Sequence, residues 1–397
     1  MPDFVILRNT AARRTGSGFE SFGPSAASET TAAPPEPRIE THNISLSEAM
    51  SAGRDPEVAA IAIPMPITLI TPASINAQAA AAGDAWGIAA VKADTSQATG
   101  DGVVVAVLDT GIDKAHPAFA GVDIVERDFS GSGNGDLNGH GTHCAGTIFG
   151  RDVGGQRIGI ARGVKKALIG KVLRDNGGGS SEMIFGAIQW ALDNRAQVIS
   201  MSLGFDFPGA VKRMEQSGLP TEPAVSNALE AYRSNLRFFD ILMQMVKARA
   251  AFGDTAVVVA ATGNESKRDG NPAFTINASL PAAAEGIISV AALGRGAAGK
   301  FDIARFSNSM AQVAAPGVDI VSAKTGGGLQ TMSGTSMACP HAAGVAALWW
   351  HALKLQGAVR PTANLVIGNL TSRARTDVLA TGITMEDRGS GMVTAPQ

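Results

Sequence analysis

Only two cysteines, Cys144 and Cys339, occur in 397 residues. That excludes a disulfide framework and suits a reducing compartment with both thiols free. Neither sign of charge is in excess, since 33 Lys plus Arg stand against 35 Asp plus Glu and leave a net charge of −2. Such a balance supplies no broad field to attract nucleic acid or an anionic bilayer, so neither is expected as a partner. Long apolar runs are missing too. The longest, such as Val103 to Leu108 and Ala342 to Trp350, fall short of the roughly 20 residues a membrane-spanning helix needs. In the N-terminal MPDFVILRNTAARR the apolar stretch is only Phe4 to Leu7, where a Sec-type export signal has about 7 to 15 residues. A cytoplasmic location is therefore expected, with another export route or a misassigned start as the alternatives. What the chain does have is 45% hydrophobic residues and a mean hydropathy of +0.11, ample for a large buried core.

Composition divides the chain near residue 80. Phe4 to Leu7 reads as a short strand, and Gly16 to Pro37 (GSGFESFGPSAASETTAAPPEP) is too poor in large apolar residues to pack, which predicts a flexible insert. Ile39 to Ile44 alternates apolar and polar, Ser45 to Ala52 predicts a serine-capped helix, and Glu57 to Ile63 is rich in strand formers. Residues 1–80 are thus expected to form a small α+β unit. Pro64, Pro66 and Pro72 predict a connection in which helix and sheet are both interrupted. In residues 81–397, apolar runs at Val103–Leu108, Ala167–Leu173, Val198–Leu203, Ala256–Ala261 and Ile287–Val290 alternate with helix candidates at His140–Phe149, Ser181–Asn194 and Pro223–Ala251. The fold class expected is α/β, a mostly parallel buried sheet flanked by helices, with functional groups beyond the strands' carboxyl ends.

Each chemical residue has a bland explanation when read alone. Asp109 in VAVLDTGID could merely bond turn amides, Ser336 in SGTSMACPHAAGVAALWW could be an N-cap, and Asn264 in AATGNES could form a turn. His140 and His143 in NGHGTHCAGT, with Cys144 behind them, could be metal ligands or core residues. Together the residues supply what acyl transfer by a hydroxyl requires: a nucleophile, a base for its proton, an acid to orient the base, and an oxyanion donor. Their order along the chain is Asp, His, Ser, unlike that of the chymotrypsin or α/β-hydrolase triads. The α/β-hydrolase elbow is absent as well, for Gly334 to Ala338 reads GTSMA.

Five motifs, VAVLDTGID (Val105 to Asp113), NGHGTHCAGT (Asn138 to Thr147), MSLG (Met201 to Gly204), AATGN (Ala260 to Asn264) and SGTSMACPHAAG (Ser333 to Gly344), closely resemble those of the subtilases, the subtilisin-like serine peptidases. The resemblance covers the chain from about Trp86 onward. It implies a serine endopeptidase with Ser336 as nucleophile, His140 as base and Asp109 orienting it. The Asn264 amide and the Ser336 backbone N–H would bind the oxyanion, helped by the helix dipole. Ser202, Leu203 and Gly204 would pair with an extended peptide or protein substrate as an added strand. They would also wall the first specificity pocket with Ala260, Ala261, Thr262 and Gly263. These small residues imply an apolar preference before the cut, whereas Glu265 would favour a basic one. Leu280-Pro281 resembles a family X-Pro bond near this pocket that is sometimes cis. A peptide ligase or macrocyclase using the same acyl-enzyme is the alternative.

The departures from the family are informative. Ala118 stands where many members place a calcium-binding aspartate, and Val153 where an amide ligand is expected. Calcium wants oxygen ligands, so the strong family site is expected to be absent and no cofactor is called for, while Asp101, Asp123, Asp128 and Asp136 leave another calcium site open. The stretch between Gly204 and Val257 is longer than the minimal fold needs, and its ALEAYRSNLRFFDILMQMVKARAAF reads as an extended amphipathic helix with a structural role. Residues 1–80, through SEAMSAGRDPEVAAIAIPMPITLI, resemble the subtilase pro-region. That implies a self-processing zymogen whose own pro-domain is its intramolecular inhibitor, cut between about Ile70 and Trp86; a monomer is expected. Metal catalysis is the rival class, but the histidines are three apart with no acid between them, unlike H-E-x-x-H. His143, Cys144 and Cys339 are accordingly expected to be buried neighbours of the site.

Overall fold

A computed structural model describes residues 3–10, 36–72, 74–76, 85–250, 255–357 and 361–397. The N-terminal unit comprises β1 (Asp3–Asn9), β2 (Pro37–Asn43), α1 (Leu46–Ala52) and β3 (Val58–Ala62), with the strands antiparallel in the order β2-β1-β3. Ser45 caps α1 as its sequence predicts: its hydroxyl accepts from the Glu48 amide at 3.2 Å, and the Glu48 carboxylate accepts from the Ser45 N–H at 2.7 Å. The insert expected at 16–37 lies, except for its last two residues, outside the described residues.

Two further strands follow, β4 (Pro66–Leu69) and β5 (Ser74–Asn76), where the three prolines predict interruption of both helix and sheet. This corrects that expectation. Pro66 is the first residue of its strand, a position where a missing N–H removes no ladder bond, and its carbonyl still accepts from Asp206 N–H at 3.3 Å.

The rest of the chain runs α2 (Trp86–Ala90), β6 (Val104–Asp109), β7 (Asp123–Asp128), α3 (His140–Phe149), β8 (Lys166–Lys171), β9 (Gly178–Ser180) and α4 (Ser181–Asp193). Next come β10 (Val198–Met201), β11 (Leu203–Phe205), α5 (Phe207–Gln216), α6 (Thr221–Arg249), β12 (Val257–Ala261), β13 (Ile287–Arg295), β14 (Phe301–Ile303) and β15 (Val313–Pro316). The last elements are β16 (Ile320–Ala323), β17 (Leu329–Ser333), α7 (Thr335–Leu355), α8 (Ala363–Ser372) and α9 (Met385–Arg388). One large sheet has the order β14-β13-β12-β10-β6-β8-β7, with β15 beside β13, and every pairing except β13–β14 is parallel.

Burial on both faces explains why the strands read as unbroken apolar runs. Val105, Val107, Val257, Val259 and Ala261 join one core with side chains of α3 and α7. Their alternates Ala106, Leu108, Val258 and Ala260 join a second core with side chains of α4 and α6. The chain leaves β6 toward β8 on one side and returns to β10 on the other, so the order reverses between β6 and β10. That reversal opens a crevice beyond the carboxyl ends of β6, β10 and β12.

The long segment after Gly204 forms two helices, α5 and α6, of which α6 matches the amphipathic reading. Its buried Ala224, Ala228, Ala231, Asn235, Phe238, Leu242 and Val246 recur at helical spacing. Phe238 and Phe239 pack tilted against Phe185 of α4 at centroid distances of 4.0 and 4.7 Å. The same helix holds the N-terminal unit through its main chain: Asn235 Nδ2 donates to the Ile63 carbonyl at 2.7 Å, and Ile63 N–H donates to Ser234 Oγ at 3.3 Å.

The loop of residues 150–158 is cross-braced by two guanidinium groups. Arg151 donates to the carbonyls of Phe149 (3.0 Å), Val164 (2.7 Å) and Arg162, and Arg157 to those of Gly159 (3.2 Å), Ala93 (3.0 Å) and Ile160 (3.2 Å). Charged donors are therefore already spent on these carbonyls. Arg157→Ala leaves three carbonyls unmatched and is expected to lower unfolding stability by about 1–3 kcal/mol, which a denaturant titration against the parent chain measures.

Candidate active site

Asp109 ends β6 and His140 begins α3. Both side chains are buried, and His140 Nδ1 lies 2.8 Å from Asp109 Oδ1, which also accepts the Thr110 N–H at 2.7 Å. His140 Nε2 and Asp109 Oδ2 have no hydrogen-bond partner among the described residues. Ser336 is the second residue of α7, whose first residue follows Gly334. Its hydroxyl lies 3.2 Å from the Ile70 carbonyl oxygen and 3.4 Å from that of Ser202. The four residues singled out from the sequence thus converge on one crevice, though the Ser336 proton is directed at backbone carbonyls and not at the imidazole.

Asn264 follows β12 and is oriented by a residue the sequence reading missed. Thr335 donates to Asn264 Oδ1 from both its N–H and its hydroxyl, each at 2.9 Å. With its oxygen so fixed, the amide nitrogen faces the crevice, where it donates to the Thr71 carbonyl at 2.9 Å. Nothing in the sequence links Thr335 to Asn264; the only signal is its place directly before Ser336.

The crevice is filled by the chain's own residues. Strand β4 lies between β11 and β9, antiparallel to both, with Leu69 opposite Leu203 and Thr68 opposite Gly204 and Gly178. Beyond Pro72 the backbone pairs again, β5 running antiparallel to β17. Ile70 is buried, and its Cγ1 sits 3.4 Å from where a Cβ on Gly204 would be, with Ser279 Oγ 2.9 Å from the same point. Glycine at this position is matched to the close Ser279 hydroxyl, while Ile70 packs over it at ordinary contact distance.

The expected pocket walls divide. Ser202 donates to the Ser336 carbonyl at 3.0 Å, Leu203 and Gly204 pair with β4, and Ala261 shares the core that contains Ile70. Ala260 packs into the opposite core, because successive strand residues face opposite sides. Thr262 turns its hydroxyl to the carbonyls of Val290 and Asn308, at 3.3 and 3.4 Å. Gly263 adopts φ 117°, and a Cβ there would lie 2.3 Å from Asn308 Nδ2 and 2.4 Å from Glu265 Oε2. Glu265 accepts from Asn308 Nδ2 at 2.6 Å. The Leu280–Pro281 bond is cis, as is Asn271–Pro272.

His143, Cys144 and Cys339 are buried. The His143 Nε2–H donates to the Ile320 carbonyl at 3.0 Å, turning away from His140 and leaving no pair of histidines for one metal. Cys144 Sγ donates to the Ser336 carbonyl at 3.4 Å and lies 3.8 Å from His140 Nδ1. Burial, followed by the Asp109 charge, pushes this thiol well above its usual range, and burial raises Cys339 to about 11. Among the described residues Asp109, His140 and Cys144 form the only group of three or more His, Cys, Asp or Glu whose ligand atoms could meet at a metal, all within 4.8 Å of one another.

Residues 100–381 match the Subtilase family. The chain is 34% identical over 263 residues to an intracellular serine protease of Paenibacillus polymyxa, covering 64% of this chain and 68% of that one. It is 31% identical over 273 residues to the major intracellular serine protease of Bacillus subtilis (strain 168), covering 66% and 73%. A thermophilic serine proteinase of Bacillus sp. (strain AK1) is 33% identical over 282 residues, 68% of this chain but 58% of that protein's length. The chain belongs to the subtilase family. It is a subtilisin-like serine protease, an endopeptidase built on the α/β fold expected.

Two buried imidazoles beside the site carry a pH consequence. Burial lowers His143 to about 3, helped by the nearby His140, and lowers His341 to about 4. The unfolded chain takes up both protons near 6.5, whereas the folded chain resists until far lower pH. Stability complete at pH 7 is thus expected to be lost progressively as pH falls below 6.5. Denaturant midpoints between pH 7 and 5 test this, and the slope should flatten in His341→Gln.

Proposed function

We propose that this chain cleaves peptide bonds by acyl transfer to Ser336 and is made as a self-inhibited zymogen. Once the segment 66–72 gives way to substrate, Ser336 Oγ attacks the scissile carbonyl and His140 Nε2 takes its proton. Asp109 Oδ1 holds the Nδ1–H and offsets the charge of the imidazolium that forms. The Asn264 amide and the Ser336 N–H donate to the oxyanion, and His140 then passes its proton to the leaving amine. Water repeats the sequence to release the acyl group. The observation carrying this reading is the Asp109–His140 bond of 2.8 Å, buried beside a serine hydroxyl and an amide donor that already grip main-chain carbonyls of the same extended segment.

The zymogen reading rests on that segment. Strand β4 binds the crevice as an extended peptide substrate would, adding itself between two strands. Ile70 offers its carbonyl oxygen to the Ser336 proton, which competes with the Ser336–His140 contact that attack requires. Glu265, committed to Asn308, weakens the basic alternative at the residue before the cut. The guanidinium-braced loop supports an enzyme that does not need the family's strong calcium site, and activity should withstand a chelator. The relatives named intracellular favour action inside the cell, on extended segments of other proteins.

Ser336→Ala is expected to persist as the full 40.5 kDa chain, while the parent shortens at its N-terminal side. Intact-mass measurement checks this, and self-cleavage by the alanine variant would remove Ser336 from its role. Asn264→Ala should lower kcat roughly 10²–10³-fold, a range drawn from a relative in this same family; a loss below about threefold would contradict an oxyanion role.

A further inference from the structure

We propose that Asp136 is a positioning residue for the proteolytic reaction, the group that fixes the helix carrying His140 against the strand end carrying Asp109. This inference rests on the proposed roles of Asp109, His140 and Ser336. The reason lies in what α3 lacks. Its N-cap residue is Gly139, at φ 94°, which has no side chain to accept the free amides of the first turn. Acceptors come instead from the preceding loop and from the strand end. Thr142 N–H donates to Asp136 Oδ2 at 2.9 Å, and Gly141 N–H to Thr110 Oγ1 at 2.9 Å.

Asp136 binds both sides of the junction at once. Its Oδ1 accepts from Thr110 Oγ1 (2.9 Å), Gly139 N–H (2.8 Å) and Asn138 N–H (3.1 Å), and its Oδ2 also accepts from Thr142 Oγ1 (2.6 Å). Thr110 is the neighbour of Asp109, and Gly139 and Gly141 flank His140. A carboxylate only 4% exposed therefore takes five donors, two of them on residues directly adjacent to Asp109 and His140 and the other three within two residues of His140. Backbone contact leaves no slack, since a Cβ on Gly141 would lie 2.2 Å from the Gly111 carbonyl oxygen. From below, Lys171 Nζ holds the Gly135 carbonyl at 3.0 Å and Asp175 at 2.6 Å, and Asn138 Nδ2 donates to the Asp175 carbonyl at 3.0 Å. The arrangement also accounts for Asp136 as a residue unavailable to calcium, because both of its oxygens are already engaged.

Asp136→Asn keeps the volume but turns one acceptor into a donor that faces existing donors, loosening the link between Thr110 and α3. Active sites are first counted in the self-processed chain with a serine-reactive fluorophosphonate, so that absence of labelling in the processed parent reports failure of the Ser336 assignment and not of this inference. Per labelled site, kcat of Asp136→Asn is expected to fall at least about 30-fold with KM within about threefold. The acid limb of the kcat/KM profile should move to lower pH, because a displaced Asp109 stabilises imidazolium less and the Asp136 charge is itself lost; His143 and the Cys144 thiol beside His140 stay neutral there. Thr142→Val, which removes one donor and keeps the helix, should show the same pattern more weakly and serves if the first variant does not fold. A kcat within twofold of the parent and an unmoved acid limb in either folded variant, whatever the change in Tm, would overturn the proposal.

Discussion

A carboxylate and an imidazole share one short hydrogen bond in a place from which water is excluded, and each arrives there on a different element. Asp109 comes from the end of a strand fixed on both sides by parallel neighbours. His140 comes from the first turn of a helix buried along its whole length. Neither element could slide by one residue without turning its side chain to the wrong face, so the sheet register and the helix start are both constrained by a contact of 2.8 Å. The two cores, the crossover between β6 and β10, and the loop from Gly135 to Gly139 are the means by which that constraint is met.

Much of this was legible in the sequence because it is local. The strands of the large sheet show as apolar runs since both faces are buried, and α3 begins and ends at the residues its pattern predicts. Ser45 and Glu48 announce their helix through a spacing of three. The quartet Asp109, His140, Asn264 and Ser336 was found through chemistry and family resemblance, and it converges in space. What escaped is long-range. Thr335 reaches Asn264 across 71 positions, and Asp136 reaches Thr110 across 26, by bonds no local pattern encodes. Ala260 enters the expected pocket wall with Ala261 through the family resemblance, yet adjacent strand residues face opposite cores.

The prolines misled for a related reason. Pro64, Pro66 and Pro72 argue against an ordinary internal strand, but β4 is a strand by virtue of partners supplied from β9 and β11, far along the chain. Its first residue needs no N–H, and the carbonyls just beyond its end, those of Ile70 and Thr71, are received by the crevice itself. Helix α6 shows the converse: its periodic apolar face was read correctly as structural, while Ser234 and Asn235, which hold the main chain of Ile63, carry no sequence signal of that task.

Strand β4 is hydrogen-bonded along both of its edges, and this bears on what can take its place. Removing it would leave β9 and β11 facing each other across two interstrand spacings, a gap of roughly 9.6 Å. A helix with its side chains is about 10–12 Å wide and keeps its amides to itself, so it neither fits such a slot nor satisfies the strand edges lining it. Only a single fully extended backbone does both. A folded protein would have to release a stretch of its own chain before this crevice could grip it, so local opening of the target, more than the identity of its side chains, would govern where the first cut falls.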